Sequence, residues 1–70
     1  MEGMRVRVQS VDVHAEGVHA VVIAVSQERV SGKPRASLRM RIFLESVEGE
    51  SVRRRFARVR EEALHYLDVG

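Results

Sequence analysis

Apolar and polar residues alternate through three stretches of this chain and then change period. Val6, Val8, Val11 and Val13 mark a first strand over roughly residues 4–15. Their parity switches between Val8 and Val11, and a one-residue bulge near Gln9–Ser10 returns all four valines to one face. Glu16-Gly17 reads as a two-residue hairpin loop, because glycine accepts positive φ. A second strand follows over about residues 18–29. "SGKP", Ser31–Pro34, closes a second hairpin, with Gly32 at the turn and Pro34 confined to a loop or a strand start. The third strand, about residues 36–45, places Ala36, Leu38, Met40, Ile42 and Leu44 on one face. Ser37, Arg39, Arg41 and Phe43 fall on the other.

Beyond "ESVEGES" the apolar spacing lengthens. Val52, Phe56, Val59, Ala63 and Leu67 recur at intervals of four, three, four and four, which is one stripe of an α-helix. Ser46 or Ser51 is its expected N-cap, with Glu48 and Glu50 near the positive end of the helix dipole. The pattern predicts an α+β fold in one domain over residues 1–70: a three-stranded antiparallel meander, then one C-terminal helix packed on one face (β-β-β-α).

The second strand is the exception to alternation. From Ala20 to Val25 it reads AVVIAV, apolar on both faces, and in a meander it lies in the middle. Pairing through Glu16-Gly17 sets Val13 opposite Ala20 and Val11 opposite Val22. A second turn centred on Gly32 sets Ala24 near Met40 and Val22 near Ile42. The helix stripe covers the face bearing these residues. No second helix exists for the other face, where Val21, Ile23 and Val25 run down the centre with Phe43 beside them. Arg5 and Arg7 flank that strip on one side, Arg39 and Arg41 on the other.

Size sharpens the question of what covers it. A core drawn from 70 residues supplies no more than roughly 3–5 kcal/mol, and small domains are often completed by a disulfide, a metal or a partner. Cysteine is absent, which excludes disulfides and thiolate metal sites and fits a reducing, cytoplasmic setting. No apolar run approaches the about 18 residues of a membrane span, and the N-terminus lacks a signal core. The leading expectation is a homo-oligomeric, non-catalytic interaction or assembly module that associates through Val21, Ile23, Val25 and Phe43.

The basic residues supply the alternative. Twelve Lys and Arg face ten Asp and Glu, a net charge of +2, and apart from Lys33 every base is arginine. Arginine suits bidentate grips on phosphate and ion pairs at interfaces. Arg5, Arg7, Arg39 and Arg41 on the sheet, and Arg53, Arg54, Arg55 and Arg58 on the helix, are the candidate contacts to an anion or a nucleic acid. In outline the element order resembles the three-strand-plus-helix DNA-binding modules of some integrases and plant transcription factors. That resemblance implies sheet arginines reading a major groove; no sequence motif carries it further. On the helix, Glu50 to Arg54 and Arg58 to Glu62 are i,i+4 pairs that offset the unfavourable arginines of the first turns.

Other chemistry is thin. His14 and His19 flank the first hairpin tip, expected directly opposite each other. With Asp12 or Glu16 they are weak candidates for a divalent metal, and no metal is assigned. Ser31-Gly32-Lys33 is too short for a phosphate loop. No nucleophile sits beside a base at a recognised spacing, so neither catalysis, nor a cofactor, nor a small-molecule substrate is expected.

Overall fold

The computed structural model describes residues 4–69. Its order is β1 (Met4–His14), β2 (Gly17–Ser26), β3 (Arg29–Val30), β4 (Lys33–Pro34), β5 (Ser37–Leu44) and α1 (Val52–Val69). An antiparallel sheet in the order β1-β2-β5 carries the helix on one face, the α+β meander that the alternation predicts. The β3–β4 pair prolongs the second hairpin as a narrow arm.

The bulge in β1 is present. Pairing passes from Val8–Val22 to Ser10–Val21, leaving Gln9 as the extra residue. Val6, Val8, Val11 and Val13 therefore share the face of Ala24, Val22, Ala20 and Val18. Both hairpins differ from the expected register by two residues. The first turns through Ala15 and Glu16, so Val11 meets Ala20 and Val13 meets Val18. Gly17 opens β2 at φ 151° instead of sitting in the loop, and the Leu44 carbonyl occupies the space a side chain there would need. In the second hairpin Ala24 meets Leu38, Val22 meets Met40 and Ala20 meets Ile42. A shift of two keeps every side chain on its face, since strand side chains alternate with period two.

The second shift has a visible origin. Ser31 and Gly32 form the tip with positive φ at both positions, 55° and 80°, the backbone of a tight primed turn. Between Ser26 and Arg29 one strand carries an extra residue relative to Pro34–Ala36. The Ser26 hydroxyl stitches this irregularity, donating to the Glu28 carbonyl at 3.0 Å and accepting from the Ala36 amide at 3.1 Å. The predicted strand of residues 18–29 is thus broken after Ser26, and Pro34 lies within the short β4. Pro34 is tolerated because the arm has open edges.

Val18, Ala20, Val22, Ala24 and Ile42 of the sheet are buried with Val59, Ala63 and Leu67 of α1. The two alanines of β2 and Ala63 leave room for the helix axis to approach. Enlarging Ala63, which is 0% exposed, to leucine is expected to cost about 1–3 kcal/mol through overpacking. A lower urea midpoint with an unchanged slope checks this. Val52 and Phe56 depart from the predicted stripe: both are exposed, at 64% and 42%. Val13 and Leu38, at diagonally opposite corners of the covered face, are exposed as well, so cover falls away at those corners while β2 stays buried along its length on this side.

The first turns of α1 are anchored by charge instead of grease. Ser51 is the N-cap, its hydroxyl accepting from the Arg54 amide at 3.2 Å. The preceding Glu50 side chain is only 5% exposed. Arg58 donates to it twice, Nε to Oε2 at 2.7 Å and Nη2 to Oε1 at 2.9 Å, and Nη2 also reaches the Glu45 carbonyl at 2.9 Å. Arg55 Nε lies 3.7 Å from the same carboxylate. Glu50 is thus bound eight residues along the chain, not by Arg54 as i,i+4 spacing predicts, and Arg58 turns to Glu50 in place of Glu62.

Candidate functional site

The sheet face away from α1 is built in four rows, each read across β1, β2 and β5. Asp12, His19 and Phe43 make the first row and Ser10, Val21 and Arg41 the second. Arg7, Ile23 and Arg39 make the third, and Arg5, Val25 and Ser37 the fourth. Val21, Ile23 and Val25 are half-buried, although no layer lies over them; the arginines flanking them on both outer strands are exposed. Arginine stems lie along such apolar surface while the charged heads stay in water.

The sequence candidates divide cleanly. Val21, Ile23, Val25, Phe43, Arg5, Arg7, Arg39 and Arg41 come together on this one face. The helix arginines do not join them. Arg55 and Arg58 are committed to Glu50, and Arg53 and Arg54 are exposed on the opposite layer. Among the described residues no ion pair engages Arg5, Arg7, Arg39 or Arg41; the pairs there are Arg35–Glu28, Arg55–Glu50 and Arg58–Glu50.

One corner of the face is an aromatic cluster that spacing alone does not reveal. His14 and His19 are not directly opposed, since Asp12 faces His19 and His14 faces Gly17. Their rings nevertheless meet diagonally, with centroids 4.6 Å apart. His19 in turn meets Phe43 edge to face at 4.7 Å and 82°. His14 and His19 come together in either register of the first hairpin; what spacing misses is Phe43, which the break after Ser26 sets directly beside His19. Beside the cluster lies an open depression of about 180 Å³ lined by Asp12, His19, Ala20, Val21, Arg41 and Phe43. A second, of about 270 Å³, lies at the other end among Arg5, Val6, Arg7, Ile23 and Val25.

Other chemistry does not assemble among the described residues. No group of three or more His, Asp or Glu side chains gathers around a point where a metal would sit, so His14 and His19 lack further protein ligands. Another depression, about 410 Å³, surrounds Glu50, Arg54 and Arg58, where the Glu50 carboxylate and the Arg58 guanidinium already satisfy each other. The Glu50 carboxyl is held below its ordinary range, chiefly by the hydrogen bonds from Arg58 and further by the nearby positive charges, against a smaller opposing effect of burial. Among the described residues no helix is long and apolar enough to cross a membrane. Compared with known proteins, the chain matches no family model, no curated protein and no solved structure.

Proposed function

We propose that this protein is a small non-catalytic binding module, that its open sheet face makes the contact, and that the contact is with a polyanion, a nucleic acid foremost. The observation that supports this is the charge layout of the face. Four arginines without a carboxylate partner among the described residues border a strip that contains Asp12 as its one acidic side chain. A second copy laid over this face would oppose four arginines to four arginines with a single aspartate on each side. A phosphate backbone meets the same arginines with complementary charge. Arg29 and Lys33 on the exposed arm extend the positive character past the end of the sheet.

Self-association through the same face is the second reading, and the contiguous strip Val21–Ile23–Val25 favours it. Its size does not. The strip from His19 to Val25 is about 20 Å long. At the width of three strands that is roughly 300 Å², against the about 800 Å² per partner of a standard interface.

Titrating the protein with labelled nucleic acid at several salt concentrations separates the readings. If four arginines meet phosphates, log affinity is expected to fall with log salt at a slope of about −3 to −4. Arg39→Gln with Arg41→Gln should flatten the slope by about 1.5 to 2. Absence of binding at low salt, together with a mass in sedimentation that rises with concentration and falls back on Ile23→Glu, would replace the polyanion with a second copy.

A further inference from the structure

Resting on the polyanion reading of the open face, we propose that its ligand is single-stranded nucleic acid, with one base stacked on the Phe43–His19 corner and successive phosphates on the flanking arginines. Phe43 is the starting point. It is 64% exposed, on the uncovered side of the sheet, and does not lie against the core. Its contact is His19, itself against His14. Three flat rings thus gather at one end of an otherwise aliphatic strip. Every nucleobase has a π-face, so such a surface accepts a base without sequence preference.

The surroundings fit a base more closely than they fit a protein side chain or a duplex. The depression next to Phe43 has an apolar side chain at its floor, Val21, with one carboxylate, Asp12, and one guanidinium, Arg41, at its rim. A base laid there puts its ring on Phe43 and leaves its phosphate near Arg41. Arg39 lies two residues farther on the same strand and face, about 7 Å away. That step is comparable to the phosphate repeat of an extended strand. Across the strip, Arg7 and Arg5 repeat it at the same interval.

The aliphatic strip decides between one strand and two. Val21, Ile23 and Val25 donate and accept no hydrogen bonds, so they cannot read the edges of paired bases in a groove. A duplex hides its base faces and would set charged phosphate or wet groove against these side chains. A single strand with splayed bases presents apolar ring faces, which the strip can cover. Charge alone points the other way, since a duplex has the denser phosphate array. A preference for the single strand therefore measures stacking and not attraction.

The test compares a fluorescent single strand of about 12 nucleotides with the duplex of the same sequence by anisotropy, at about 50 mM salt. The expected result is tighter binding of the single strand. Phe43→Leu, which keeps an apolar residue at an exposed position, should weaken the single strand roughly five- to a hundredfold and leave the duplex unchanged. Phe43→Trp should retain or strengthen it. Duplex binding as tight as single-strand binding, or a Phe43→Leu protein that binds normally while Arg41→Gln does not, overturns the stacked-base proposal and leaves the polyanion reading standing. Failure to bind either probe at low salt overturns both.

Discussion

Replacing Gly17 with alanine is expected to lower the thermal midpoint by roughly 10 °C or more. Two causes act together. Gly17 has φ 151°, where a side chain is strained, and strain of this kind costs about 1–3 kcal/mol. A Cβ there would also stand 2.6 Å from the Leu44 carbonyl oxygen, a distance that backbone must move to relieve. Since β2 pairs with both other strands of the sheet, that movement opens the start of one ladder or the end of the other. In a domain of this size each kcal/mol shifts the midpoint by about 4–8 °C. Gly32 and Gly49 supply the control. They also have positive φ, 80° and 76°, but nothing lies within 4 Å of the added carbon. Alanine at either is expected to cost only about 1–2 kcal/mol. Equal losses at all three positions would show that φ alone matters and that the contact with Leu44 does not.

Glu50→Gln is expected to lower stability at neutral pH and to weaken the loss of stability on acidification. In the native state the Glu50 carboxyl is held below its ordinary 4.5 by Arg58. The unfolded chain then takes up this proton first as pH falls. The charged clasp contributes in full above about pH 4.5, declines as pH drops through that value, and is gone once the native carboxyl is also protonated. Glutamine keeps the shape but not the charge, and leaves two guanidiniums facing a neutral group. Thermal melts from pH 7 down to pH 3 should therefore show the variant several degrees below the parent at the top of the range, with the two converging in acid. Parallel curves over the whole range would place the acid transition on other carboxylates. Arg58→Ala should be worse than Glu50→Gln at neutral pH, because it strands a nearly enclosed carboxylate and also frees the Glu45 carbonyl.

Which parts of this molecule could be read from sequence follows from what a hydrophobic pattern measures. It measures sides. The four valines of β1 identified the bulge at Gln9 because parity changed across it, and the six-residue apolar run of β2 identified a strand greasy on both sides. It does not measure offset. Moving a strand by two residues leaves every side chain on its face, so the pattern alone is equally satisfied two residues away from the register adopted in both hairpins. What goes with the offset is local: a two-residue turn at Ala15–Glu16 that leaves Gly17 in the strand, and a serine hydroxyl bridging a break after Ser26. The aromatic corner is legible only in half: His14 and His19 come together in either register, whereas Phe43 stands directly beside His19 only in the adopted one. The helix stripe failed at its N-terminal end through a different cause. Val52 and Phe56 satisfy the period, but an ion pair spanning eight residues, Glu50 with Arg58, holds that end in place, and no short-range spacing rule points to it.

The arm from Gln27 to Ala36 has a practical use. All of its residues are exposed, and its backbone bonds run within it and to the end of the ladder at Ser26. A foreign peptide spliced between Ser31 and Gly32 should therefore leave the helix-covered layer undisturbed, and protease should nick the chain there before anywhere in the meander. The tip offers a handle for a fluorophore or an affinity tag, remote from both the cluster at Phe43 and the clasp at Glu50.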